Sequence, residues 1–218
     1  WVIPEASAEF VHQMEQVLDV YERAYDSKHP VVNLDESPKQ LIEEIRTSFI
    51  DKNGIIHQDY EYKRNGVADI YMLAEPKAGW REVLVKDNHN RLTYAEVIRH
   101  LAEDVYPQAN KITLIEDNLS AHKLSALYEI LPPDEARSII ERIEVVRTPK
   151  HGSWLNIAEI ELSALGRQAT KGRIPSASKL KEKTQQWYKD RNERSTKVNW
   201  QFTTKDARIK LKKLYPQL

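Results

Sequence analysis

The chain is predicted to fold as an α/β domain, a mixed sheet flanked by helices. Two apolar, β-branched runs each end in an acid, VVNLDES at 31–37 and KITLIEDN at 111–118. A third observation is VADIYMLAEPKAGWREVLVK (67–86), two β-rich runs around a Pro/Gly turn, the pattern of an antiparallel hairpin. Stretches with helical spacing of apolar residues separate and follow these strands, which is how a sheet comes to be covered by helices.

Taken in order, residues 5–25 carry Phe10, Met14, Val17, Tyr21 and Ala24 at steps of three and four, predicting an amphipathic helix. Pro30 breaks it, and the first strand is expected to deliver Asp35 at its carboxyl end. DYEYKRNG (59–66) reads as an exposed turn before the hairpin. Ala95, Ile98, Ala102 and Val105 mark a helix over 93–106 that Pro107 stops, after which the second acid-ended strand presents Asp117. Helical pattern then runs from 123 to 143 with a break at Pro132-Pro133, IEVVRTP (143–149) is a further strand, and a long helix spans about 155–170. Helices are expected again over about 178–193 and 204–214. No repeat or low-complexity linker divides the chain, so one domain is expected, with a basic helical C-terminal segment over about 176–218.

Composition excludes several chemistries. The 218 residues contain no cysteine, which removes disulfides, thiolate metal sites and a cysteine nucleophile, and fits a cytoplasmic protein. No apolar run approaches the ~18 residues of a membrane span. The chain begins at Trp1 within sequence that already reads as folded, so it is expected to be part of something longer. Its formal charge of zero hides a strong asymmetry. Residues 147–218 hold 17 Lys and Arg against 6 Asp and Glu, net +11, leaving 16 against 27, net −11, for residues 1–146. Carboxylates in one part and cations in the other suit a metal-using enzyme acting on a polyanion, although solvated helix faces would give the same count.

A pair of divalent cations can activate a nucleophile and stabilise the leaving oxygen of a phosphodiester when hard oxygen ligands hold them. Asp35 and Asp117 could supply such ligands only if their strands are neighbours. In PKHGSWLNIAEIE (149–161) a third acid stands at the start of the long helix, either Glu159 or Glu161. Two positions of helix rotate a side chain by about 200°, so the two glutamates cannot face one site. Each residue also has an ordinary reading. The aspartates could cap turns, Asn156-x-x-Glu159 could be a capping box, and His122 could be a core-edge histidine.

Taken together, VVNLDESPKQL, LIEDNLSAH and TPKHGSWLNIAEIEL resemble the three signature blocks of DDE transposases of bacterial insertion sequences in the mariner-like superfamily. WREVLVKD, GRIP and NWQFTTKDARIKLKKLYP are similar to the same group, so the resemblance runs from about Trp1 to Tyr215. It implies a ribonuclease H-like fold, catalytic and metal-binding roles for Asp35, Asp117 and Glu159, and accessory positions at Asn118 and His122. It also implies Mg2+ or Mn2+, as two ions, and DNA as partner, bound at transposon ends and target. Upstream helix-turn-helix modules, a homodimer when paired on DNA, and a place at the bacterial nucleoid are implied as well. The L-N-x-x-E block selects Glu159, with Glu161 expected to point away. This chain departs from the group with Ser37 after the first acid pair and with HGSWLNIA before the last acid. A ribonuclease H-like nuclease without strand transfer, or a silent domesticated DNA-binding protein, is the alternative. From the charge asymmetry, residues 179–213 are expected to form a positive surface beside the acids, with Lys181, Lys183, Arg191 and Lys212 contacting DNA.

Overall fold

A computed structural model describes residues 7–46, 49–57 and 60–216. The N-terminal helix α1 spans Ala8–Glu22, where Ser7 Oγ accepts from the Phe10 amide; the predicted Glu5 and Ala6 lie outside the described residues. Strand β1 (Val31–Glu44) follows, then a small ribbon of β2 (Phe49–Ile50) and β3 (Ile56–His57), and the predicted hairpin as β4 (Tyr62–Glu75) and β5 (Trp80–Lys86). Helix α2 (Arg91–His100) runs on into a π-helical turn at Leu101–Val105 before β6 (Ile112–Glu116). Then come α3 (Leu127–Ile130), α4 (Pro133–Arg142), β7 (Ile143–Arg147), α5 (Ile157–Gln168), α6 (Ala177–Glu193) and α7 (Thr204–Lys210).

The main sheet has the order β5-β4-β1-β6-β7, with β1, β6 and β7 parallel and β4 antiparallel to both of its neighbours. Alternation along the strands assigns the two faces. Val32, Leu34, Tyr71, Leu73, Ile112 and Leu114 pack beneath α2, α3 and α4. On the opposite face Ile70, Met72 and Val83 lie under α5 and α6, and Ile115 lies under α1 and the C-terminal turn.

Two expectations need correction. Strand β1 does not end at Asp35, because β4 continues to pair with it from Asp35↔Met72 to Glu44↔Tyr62, through a bulge between Gln40 and Ile42. For the same reason Tyr62–Gly66 is strand and not turn: the ladder to β1 keeps these exposed polar residues extended without burying them. Asp59 of that predicted turn lies outside the described residues.

The C-terminal region is folded onto the domain and does not trail from it. Helix α6 lies on the edge strand β5, where the Asn192 side-chain amide both accepts from the Arg81 N–H (2.9 Å) and donates to the Arg81 carbonyl (2.7 Å). One side chain thus occupies edge groups that would otherwise invite another strand. The following segment crosses the hairpin turn at Gly79, whose φ is +73° and where an added Cβ would lie 2.8 Å from the Ser195 carbonyl group. Helix α7 then docks on α1 through Arg208 to Glu15 (2.8 Å) and Thr204 Oγ1 to Asp19 (2.8 Å).

Candidate active site

Parallel pairing of β1 and β6 matches Val31 with Thr113, Val32 with Leu114 and Asn33 with Ile115, a constant offset of 82 positions. Asp35 and Asp117 are separated by the same 82 positions, so each stands two residues beyond Asn33 and Ile115, the last pair between these two strands. Both therefore leave the sheet on the face that carries Asn33 and Ile115, the face covered by α1 and α5.

The third acid reaches that face through a set of buried polar contacts. The 148–153 turn is compact: the Gly152 N–H donates to the Pro149 carbonyl at 2.8 Å, and a Cβ on Gly152 would come within 2.5 Å of the Pro149 ring. Helix α5 then begins at its N-cap, Asn156. This residue accepts from the Ala158 N–H through Oδ1 (3.1 Å) and donates through Nδ2 to the Leu34 carbonyl (2.8 Å), one residue before Asp35. Asn33 Oδ1 accepts from the Ile157 N–H at 3.3 Å, and the buried Tyr21 hydroxyl donates to the Leu155 carbonyl at 2.6 Å. These bonds hold the first turn of α5, which includes Glu159, against the strand that carries Asp35. A capping box does not account for Glu159, since the Asn156 N–H already donates to the Ser153 carbonyl at 2.8 Å. Replacing Asn156 with Ala removes the cap and orphans the Leu34 carbonyl. A loss of about 1–3 kcal/mol in chemical denaturation is expected.

The charges of the neighbouring acids act on Asp35. Burial, then repulsion from Glu36, Asp117 and Glu159, pushes the Asp35 carboxyl up to about 7, against the pull of the Glu36 amide on its Oδ1. Glu161, two positions along α5, is buried elsewhere, with Arg81 Nε at 3.3 Å and Arg191 Nη2 at 3.1 Å from its carboxylate.

Each acidic dipeptide also places one carboxylate on the other face. There Glu36 and Glu116 meet His122, whose side chain is 1% exposed. Its Nε2 is 2.8 Å from Glu36 Oε1, its Nδ1 is 3.2 Å from Asp117 Oδ1, and its ring stacks on Tyr94 with centroids 4.8 Å apart. Burial alone would depress the imidazole, but hydrogen bonds to Asp117 and Glu36 carry it up to about 10 and keep it charged at neutral pH. The His122 contact, reinforced by the Leu119 N–H, holds Asp117 below the ordinary aspartate range. Arg147 completes the cluster by pairing with Glu116 (2.8 Å) and donating to the Asp117 and His122 carbonyls (2.7 and 2.8 Å). The β1–β6 pairing ends at Asn33 and Ile115, so beyond it the spacing of the two aspartates depends on this Glu36–His122–Asp117 bridge. Tyr94, Glu36, Glu116 and Arg147 were not picked out from the sequence. The adjacent acids in LDE and IED were the available signal, because alternation sends one of each pair to either face.

Beside Asp117 opens a cleft of about 790 Å³, lined by Phe10, Gln13, Asn118, Lys150, His151 and Ser153 among others. Asn118 stands exposed at this cleft. Lys181 and Lys183 are exposed on α6, and Lys212 is exposed in the turn after α7. Arg191 is placed differently from the expectation: it pairs with buried Glu161 and lies over the Trp187 ring at 4.9 Å, so it holds α6 down. The other basic residues over 179–213 lie on two separate parts of the domain. They are divided between β5 and α1, and Lys179, Arg208 and Lys210 are matched to Glu182, Glu15 and Asp206.

A profile of DDE superfamily endonucleases matches residues 30–181. The chain belongs to this family. The DDE endonuclease fold seen here is ribonuclease H-like and is shared with solved structures of Mos1 transposase. A Mos1 mariner paired end complex with Mn is 17% identical, with a TM-score of 0.56 over 90% of this chain and 61% of that one. The Mos1 strand transfer complex is 17% identical, with a TM-score of 0.58 over 90% and 60%. A paired end complex with Mg is 15% identical, with a TM-score of 0.53 over 100% and 66%. The DDE chain thus spans about three fifths of the first of these relatives. No curated protein matches it. No helix among the described residues is long and apolar enough to cross a membrane.

Proposed function

We propose that this chain is the catalytic domain of a DNA transposase, and that Asp35, Asp117 and Glu159 hold divalent cations, Mg2+ or Mn2+, as a pair. The observation that carries this reading is the placement of the three acids: two brought level by strand register, the third on the helix turn tied to β1 through Asn156, with Asp35 raised chiefly by burial and further by the charges of Glu36, Asp117 and Glu159. Hard oxygen donors that repel one another suit a hard cation. Among the described residues no group of three such side chains is spaced to hold an ion, so the reading requires the acids to close up when a cation binds.

Bound ions would activate the attacking water or 3′-hydroxyl and stabilise the leaving oxygen. The protein's part is to keep its carboxylates ionised and aimed. Asp117 is charged at neutral pH because His122 donates to it, whereas Asp35 gives up its proton only near pH 7. Asn156 keeps Glu159 at β1. The 218 residues would form one catalytic domain with the basic segment from about 176 packed on it, working with upstream DNA-binding modules. The protein would act at the bacterial nucleoid as a homodimer on paired transposon ends; the solved Mos1 structures it resembles include a paired end complex.

The test is Mn2+ binding by electron paramagnetic resonance, together with nicking of supercoiled plasmid and joining of a labelled 3′-hydroxyl end to it. Saturable Mn2+ binding with nicking and joining is expected. Nicking without joining would make the protein a simple nuclease. No Mn2+ binding and no nicking would overturn the reading.

A further inference from the structure

Beyond Asp35, alternate residues of β1 continue along the same face as Ser37 and Lys39. On α5, Leu162 and Gly166 follow Glu159 at three and seven positions, on one side of the helix. Between the two elements lies a groove of about 250 Å³, lined by Ser37, Lys39, Leu162, Gly166, Thr170 and Lys171 among others. Three features of this groove have no structural explanation when taken together. Gly166 lies inside a helix, where glycine costs about 1 kcal/mol relative to alanine. Packing does not require it, since a Cβ there would meet nothing within 4 Å. Lys39 donates to the Thr170 and Gly172 carbonyls at 2.7 and 3.5 Å, yet it pairs with no carboxylate among the described residues. Lys171 stands exposed at the same place. Lys39 could be explained as a cation at the C-terminus of α5, but that would leave Gly166 and Lys171 unaccounted for.

We propose that this groove is a track for the phosphate backbone of the DNA strand whose reacting bond lies at the three acids. The proposal rests on the transposase reading above. Bare helix backbone at Gly166 lets a sugar-phosphate chain approach closely, and the two ammonium groups meet its phosphates. Lys39 lies four residues from Asp35, about 13 Å at ~3.3 Å per strand residue. That spans about four nucleotides of duplex rise at ~3.4 Å each. The cations set against this strand are those beside the acids, whereas Lys179, Arg191, Arg208 and Lys210 of α6 and α7 are matched to carboxylates.

The experiment is a fluorescence anisotropy titration of this chain against a DNA duplex in Ca2+ over a range of NaCl concentrations. Wild type is compared with Lys171→Ala, Lys39→Gln and Gly166→Glu. Each lysine variant is expected to reduce the log–log salt slope by about 1, the share of one phosphate contact. At Gly166 a Cβ meets nothing within 4 Å and Glu is the better helix former, so Gly166→Glu is expected to keep or raise Tm while weakening binding at low salt. Lys39→Gln also loosens the 170–172 turn, so Lys171→Ala and Gly166→Glu decide the matter. Unchanged slope in the first and unchanged affinity in the second would overturn the track. With those unchanged values, Mn2+-dependent nicking by wild type that is lost in Asp117→Asn would remove the track alone and leave the transposase reading standing. No DNA binding and no nicking by wild type would remove both readings.

Discussion

Replacing Asp35 with Asn is expected to abolish metal-dependent strand cleavage while making the metal-free protein more stable at pH 8. The carboxyl is pushed up to about 7 from an ordinary value of 3.8, so between those values the folded chain binds a proton that the unfolded chain has released. Stability therefore falls as pH rises through that window, and above pH 7 the fold carries a carboxylate that is buried and, to a lesser degree, repelled by its acidic neighbours, at full cost. Asn keeps an oxygen to accept from the Glu36 N–H and removes the charge, so its apo Tm at pH 8 should exceed that of wild type. Wild type should recover the difference on adding Mg2+ or Mn2+, with a larger Tm rise at pH 8 than at pH 5.5, because protons compete with the cation. Asn should show almost no metal-induced rise. The activity loss should exceed the ~10–100-fold typical of removing an outer-shell partner. Thermal scans at two pH values with and without metal, paired with plasmid nicking, check this. An Asp35→Asn protein that still nicks, or that is less stable than wild type at pH 8 without metal, would remove Asp35 from the site.

His122→Leu should cause the largest loss of stability, about 3–5 kcal/mol, because it leaves buried carboxylates without their cation. Glu36 and Asp117 lose a charged donor at once, and Glu116 keeps only Arg147 and the Tyr94 hydroxyl. The imidazole titrates near 10 in the fold against 6.5 ordinarily. Its contribution is full below about pH 6.5 and is lost as pH climbs through about 10, since the folded state holds the extra proton across that window. Urea denaturation of wild type should show this decline, and the variant should lack it. A variant within about 1 kcal/mol of wild type, the scale of an exposed ion pair, would mean that the bridge does not hold the two strands. Mn2+ affinity should fall together with stability, as the Asp35–Asp117 spacing depends on the same bridge.

Much of this was legible in the chain itself. Apolar, β-branched runs ending in an acid, VVNLDES and KITLIEDN, placed both strands, Pro and Gly punctuation placed the hairpin and helix stops, and helical rotation separated Glu159 from Glu161. These signals are local, and short-range sterics and burial write them directly into residue order. The separation of 82 positions between Asp35 and Asp117 was visible too, but nothing local says that two strands pair in parallel with that offset. Register is a long-range choice, made by the hydrophobic faces closing under α2 and α5. The extension of β1 past Asp35 was likewise undetermined, because exposed polar residues at 62–66 carry no burial pattern and are extended only by their partner strand. The same holds for the basic segment: composition counted its charges, but only packing against β5 and α1 showed which were matched by acids. His122 could be read from sequence as a core-edge histidine. Its charge comes from Glu36 and Asp117, 86 positions and 5 positions away, brought together only when the sheet forms, and burial then makes each of those contacts strong.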